Sequence, residues 1–222
     1  MEMDESKLIE SIRSWGGWLT DRDAFCLGWC LEDVEKLEGE IVEIGNYMGK
    51  SSSVLSYVAK KNDKKVICID PFEWDGGTYN QFKTNLKSLE LYDNVIPITT
   101  SAENVMSFWN NKIKFLFLDS DHDYDSCKRQ FEFYKKYLVT GGIICFDDTE
   151  ILDEKVLSLI KDINNTEQTN KRIIQLFPEY QYKHPHAWIG PSKVLYEALS
   201  DSCFELVSDV NGDKINAVRK IK

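Results

Sequence analysis

Glu40-Ile41-Val42-Glu43-Ile44-Gly45-Asn46-Tyr47-Met48-Gly49-Lys50-Ser51 is the stretch on which the fold turns. Glu40–Ile44 is short and rich in β-branched residues, the signature of a buried strand. Gly45 and Gly49 then bracket a turn in which the backbone can pass close to a ligand. Ser51 stands where it can cap a helix running to about Lys60. Strand, glycine turn and helix make one unit of a parallel sheet.

The unit repeats. Strands are expected at Lys65–Ile69, Val95–Thr99, Lys114–Leu118 and Gly142–Phe146, with helices near Tyr79–Leu89, Ser101–Trp109, Asp125–Leu138 and Leu152–Ile163. Upstream, Ser6–Trp15 is amphipathic, and Thr20 with Asp23 three residues on forms a capping box for a second helix that Gly39 ends. After Ile163 the rhythm breaks: Asn164–Thr169 reads as a polar loop, Gln175–Trp188 is aromatic with two prolines, and a helix resumes near Ser192–Leu199. The chain closes on a hairpin, Cys203–Val210 and Lys214–Ile221, with Asn211-Gly212 between them. The expected fold class is α/β: a Rossmann-like, doubly wound sheet of five parallel strands plus a C-terminal antiparallel hairpin, with helices on both faces.

Four of the apolar runs share a feature that bears on chemistry. Each carries a carboxylate at its end: Glu43, Asp70, Asp119, and the adjacent pair Asp147 and Asp148. Carboxyl ends of parallel strands line one crevice, where ligands bind. Five acids crowded there repel one another unless something cationic or rich in hydroxyls occupies the space.

Composition sets outer bounds. The 222 residues, 42% hydrophobic and 29% charged, suit one domain with a substantial core. A net charge of −10 argues against nucleic acid or an anionic membrane as partner. No apolar run has membrane-spanning length and no basic, apolar signal peptide opens the chain, so a cytoplasmic location is the default expectation. Lys60–Lys65 reads as a solvated turn. Cys68 and Cys145 read as small core residues, and Cys26 with Cys30 as free thiols sharing a helix face, since no second pair completes a metal site.

These residues also carry a family resemblance. Glu43–Ser51 resembles the first motif of class I S-adenosylmethionine (SAM) methyltransferases, and Asp70 resembles that fold's ribose-binding acid. Gly17-Trp18-Leu19, Asp119-Ser-Asp121-His122-Asp-Tyr124 and Gly141-Gly142 leading to Asp147-Asp148 are similar to the bacterial small-molecule O-methyltransferases of the macrocin O-methyltransferase type. The match covers about Trp15–Thr149. It implies a single methyltransferase domain over 1–222: N-terminal helices 1–38, a SAM-binding core 39–149, substrate-side helices or lid 150–200, and a hairpin 201–222. Many relatives have His-Asp where this chain has Asp147-Asp148; the pair here resembles that of the metal-dependent catechol and caffeoyl-coenzyme A O-methyltransferases.

What the resemblance implies can be read residue by residue. Gly45, Tyr47, Gly49 and Ser51 would form the cofactor turn, with Glu43 holding the SAM ammonium directly or through water and Asp70 accepting from the ribose diol. A ligand-free strand-to-helix turn is the plainer alternative. The turn lacks the Gly-x-Gly-x-x-Gly that a pyrophosphate needs. Ser101 and Ala102, after strand 3, would face the adenine, although Ser101 can equally cap a helix. Phe72, Trp74 and Tyr79 are candidates to wall the pocket. Asp119 would border the cofactor and also join Asp147 and Asp148 around a hard divalent cation such as Mg2+, which lowers the pKa of a bound hydroxyl. Otherwise Asp119 and Asp121 cap the next helix.

His122 is the expected general base, at a place where the metal-dependent cousins have lysine; His184 and His186 are its rivals. The reading is metal-assisted O-methylation of a hydroxyl on a small molecule such as a sugar or natural product, with a homo-oligomer compatible and no nucleic acid or membrane involved. Alternatives are a metal-independent SAM methyltransferase, a haloacid dehalogenase-type phosphatase using Asp119-Ser-Asp121 and the later Asp pair, a receiver-type binding module, and a degenerate methyltransferase that only binds SAM. The phosphatase lacks its Thr or Val after the second Asp, and the receiver lacks its lysine after strand 5.

Overall fold

A computed structural model describes residues 4–152, 154–161, 165–178, 189–210 and 212–222. Its centre is a seven-stranded sheet in the order β3-β2-β1-β4-β5-β7-β6. The strands are β1 (Glu40–Ile44), β2 (Val66–Ile69), β3 (Val95–Ile98), β4 (Ile113–Leu118), β5 (Leu138–Phe146), β6 (Phe204–Leu206) and β7 (Asn216–Lys220). The first five pair in parallel, and β7 joins antiparallel to both β5 and β6. The order is not the 2-1-3-4-5 of receiver-type modules, so that alternative falls.

Nine helices are described: α1 (Glu5–Ile12), α2 (Asp21–Asp33), α3 (Lys50–Lys61), α4 (Tyr79–Ser88), α5 (Ala102–Met106), α6 (Tyr124–Tyr134), α7 (Glu154–Ile160), α8 (Thr166–Leu176) and α9 (Ile189–Ser200). Among the described residues none is long and apolar enough to cross a membrane.

Strand alternation divides the core in two. Ile41, Val66, Cys68, Phe115, Phe117 and Cys145 pack with α1, α2 and α3 on one face. Val42, Ile44, Ile69, Leu116, Ile144 and Phe146 pack with α5, α6 and α9 on the other. The same alternation sends Glu43 to the first face, opposite Cys68 in the ladder. The expected capping box of α2 is present, with Thr20 and Asp23 bonded reciprocally.

Three expectations need correction. The helix after the first turn begins at Lys50 with Gly49 in the left-handed cap position, φ 86°, and Ser51 caps nothing. Of the expected 164–169 loop, Asn164 lies outside the described residues and 166–169 is the first turn of α8, because the Asn165 side chain accepts the Gln168 amide and starts a helix. The terminal ladder is shorter than its apolar pattern. Asn211 lies outside the described residues, and the amides of Asp213, Lys214 and Ile215 leave the ladder to bond Asp23.

Candidate active site

The sheet reverses its order between β1 and β4, which opens a crevice at their carboxyl ends. On the β1 side the turn Gly45–Gly49 is tied to Asp70. Asp70 Oδ2 accepts the amides of Asn46 and Tyr47 at 2.6 and 2.9 Å, and Oδ1 accepts that of Phe72 at 2.5 Å. Tyr47 is held at φ +46° and Phe72 at +56°, strained positions fixed by these bonds. The Tyr47 hydroxyl donates to Asp75 at 2.9 Å, and its ring lies 5.7 Å from that of exposed Trp18. Asp70 therefore organises the turn with both oxygens of its carboxylate and is half-buried beside it.

Glu43 does not reach this crevice. It is 0% exposed, and its two oxygens accept from Ser51 at 2.5 Å and Ser52 at 2.6 Å. Complete burial pushes its carboxyl up to about 7, against the opposing hydrogen bonds from the two serines, Asn46 and Cys68. Glu43 is expected to hold a ligand ammonium directly or through water; enclosed by Ser51 and Ser52, the carboxylate has no exposed face for direct contact and braces the start of α3 from below. Phe72 also turns inward, packing on Tyr79 and Phe82 at centroid distances of 5.1 and 5.0 Å, so its ring belongs to the core. Ser101 accepts the Asn104 amide at 3.4 Å as the cap of α5, and Ala102 is buried in the second core. Both stand at the end of β3, away from the acid pair.

On the other side of the reversal, Asp119 follows β4 and Asp147-Asp148 follow β5, as the strand pattern implies. A residue absent from every expectation joins them. Lys214, 8% exposed, places Nζ 2.6 Å from Asp147 Oδ2 and 2.7 Å from Asp148 Oδ1. These acids raise its pKa further, against the burial that would lower it. Asp148 Oδ2 faces His122 Nε2 at 2.8 Å. Burial works to raise the Asp148 carboxyl, but the His122 hydrogen bond and the Lys214 charge outweigh it and leave the group below the ordinary range. Asp148 sits at φ +50°, which aims its carboxylate at both partners.

Asp119 is different. Burial first, then the Asp147 charge beside it, hold its carboxyl well above the usual range. Beside it, Asp147 Oδ1 is buried with no hydrogen-bond partner among the described residues. Removing Lys214 would leave buried Asp147 without its cation and Asp148 with His122 alone, a loss of about 3–5 kcal/mol.

The divalent cation expected on Asp119, Asp147 and Asp148 does not fit this arrangement. Both oxygens of Asp148 are taken, by Lys214 and His122, and one of Asp147 is taken by Lys214. An ammonium already lies where the ion's charge would go. Among the described residues no group of His, Cys, Asp and Glu is arranged to hold a metal.

Local packing sets His122. Ser120 donates to Gln130 of α6 at 2.7 Å, and Asp123 caps that helix by accepting the Ser126 amide at 3.0 Å. The start of α9 closes on the same loop: a Cβ at Gly190 would lie 2.3 Å from the His122 carbonyl. A cleft lined by Leu118, Asp119, His122, Phe146, Asp147 and Pro191 opens beside the cluster. His184 and His186 lie outside the described residues.

Sequence reading missed Lys214 and Gly190, and it saw Asp23 only as part of the Thr20 capping box, not as the acceptor of the amides of residues 213–215. Lys214 left one trace: a lone charge immediately before an apolar strand.

Residues 42–149 match the family model described as a methyltransferase domain. An uncharacterised protein of Acanthamoeba polyphaga mimivirus is 34% identical over 119 residues, 51% of this chain and 53% of that protein, so the match spans about half of the relative. Solved structures share the whole fold at low identity. An O-methyltransferase of tomaymycin synthesis from Streptomyces achromogenes, solved with SAM, superposes with TM-score 0.62 at 13% identity, covering 100% of this chain and 92% of that one. An O-methyltransferase from Bacillus cereus, in complex with SAH, gives 0.62 at 15% identity over 97% and 88%. A TDP-rhamnose 3′-O-methyltransferase of calicheamicin biosynthesis gives 0.59 at 14% identity over 89% and 78%.

Proposed function

We propose that this chain, a class I methyltransferase fold with its methyltransferase domain over residues 42–149, transfers a methyl group from SAM to a hydroxyl of a small molecule. One observation carries the reading. The backbone of Gly45, in the turn tied to Asp70, lies directly against the carbonyl of Asp119, just before His122 and its partner Asp148. A methyl donor seated on the turn would stand beside a proton acceptor at His122.

Bound there, SAM supplies a methyl group activated by its sulfonium. Asp70 would accept from the ribose diol on the lone pairs its oxygens keep beyond their amide bonds. Tyr47 and Trp18 flank the same turn. His122 takes the acceptor's proton at the ring nitrogen away from Asp148, and Asp148 steadies the imidazolium that forms. Lys214 keeps Asp148 ionised for that task. Apolar Leu118, Phe146 and Pro191 thin the water around the reacting oxygen, which favours a step that consumes charge. Residues 150–200 would cover the acceptor. The relatives' acceptors, one of them a sugar by its description, support a small-molecule hydroxyl.

Calorimetric titration with SAM tests the class. Binding in the micromolar range, weakened about 30-fold or more by Asp70→Asn, is expected. No binding of SAM or SAH at millimolar concentration would sink the reading.

A further inference from the structure

We propose that Lys214 is the resident cation of the strand-end acid cluster: its ammonium occupies the place a divalent ion would take between Asp147 and Asp148, and Asp23 fixes it there through the backbone of residues 213–215. The inference deepens the function proposed above, since it names how that site is balanced and held.

The geometry is specific. Nζ bridges one oxygen of each aspartate at 2.6 and 2.7 Å, contacts of charge-assisted length. The lysine reaches the cluster from β7's leading end, while its targets end β5, the strand β7 pairs with. Its backbone is stapled to the same segment, for Thr149 donates its amide to the Lys214 carbonyl at 2.8 Å.

The other side of the lysine is held as tightly. Asp23, 0% exposed, accepts three successive amides on Oδ1, from Asp213 at 2.8 Å, Lys214 at 3.1 Å and Ile215 at 3.2 Å. Successive amides converging on one oxygen form an anion nest. Gly212 lets the chain approach, because a Cβ there would lie 2.4 Å from that oxygen. The other Asp23 oxygen accepts the Thr20 hydroxyl at 2.8 Å, which locks the carboxylate to the start of α2. Lys214 is thus a positioning residue. It acts on the acceptor through Asp148 and His122 and barely meets solvent.

Mn2+ titration of the full chain, followed by electron paramagnetic resonance, tests the proposal without any methyl acceptor. Wild type is expected to show no Mn2+ site tighter than about 1 mM that depends on Asp147. Lys214→Ala is expected to gain one site at least about ten-fold tighter, which a further Asp147→Asn removes; Lys214→Arg, which keeps the charge, gains none. Stoichiometric Mn2+ binding by wild type that Asp148→Asn abolishes would overturn the proposal. So would a folded Lys214→Ala, judged by near-ultraviolet circular dichroism, that gains no site. Should Lys214→Ala not fold, the wild-type titration decides. Failure to bind SAM would sink the methyltransferase reading and leave this result standing.

Discussion

Gly45 rests on the Asp119 carbonyl so closely that a Cβ at Gly45 would sit 1.8 Å from that oxygen, at a φ of +89°. This contact joins the glycine turn to the first residue of the acid cluster. Both the steric clash and the backbone angle exclude a side chain. Gly45→Ala is expected to lower stability by more than about 2 kcal/mol in urea unfolding and to weaken SAM binding beyond measurement. Wild-type SAM affinity in that variant would show that the two halves of the crevice are not coupled there.

His122 and Asp148 should separate chemistry from cofactor binding. His122→Ala is expected to reduce kcat about 10²- to 10⁴-fold while SAM affinity stays within about two-fold. Asp148→Asn should lose part of the same effect, since the amide still orients the imidazole but no longer balances its charge. An unchanged kcat in His122→Ala would pass the role to another base.

Glu43 predicts a pH signature of stability. Its folded carboxyl is raised from 4.5 to about 7, so the native state binds the proton more tightly than the unfolded chain. Stability is therefore fully present below pH 4.5 and falls as pH rises through that window to about 7, by about 3 kcal/mol. Glu43→Gln should flatten that slope in urea denaturation series at successive pH values. A slope that persists in the variant would assign it to other groups.

Asp23 should matter for folding out of proportion to a surface helix cap. Asp23→Ala removes the acceptor of three amides and the capping box at once, with an expected loss of about 3–4 kcal/mol. Asp23→Asn keeps an acceptor oxygen and should lose about half as much. Equal losses would mean that the charge, and not the acceptor geometry, holds the hairpin.

Much of the fold was legible because it rests on local periodicity. The apolar runs at Glu40–Ile44 and Lys114–Leu118 became β1 and β4, and the Thr20–Asp23 box became the start of α2. The site was legible in part. Asp119, Asp147, Asp148 and His122 converge as the strand-end rule implies, and Asp70 meets the glycine turn. Glu43 misled because its resemblance to a ligand-facing acid ignored its own alternation, which puts it under α3 beside Cys68. Phe72 misled because a positive φ swings its ring into the core.

By itself the sequence determined which strands end in acids and which turns have glycine, since both follow from short-range pattern and chain geometry. Only the tertiary structure decided what balances those acids. Lys214 reaches Asp147 and Asp148 across 67 and 66 residues, and the Asp23 that fixes its backbone lies 191 residues away. No local pattern encodes such a meeting. It arises because antiparallel β7 lands beside β5 and draws one charged side chain into a space too poor in water to leave carboxylates unpaired.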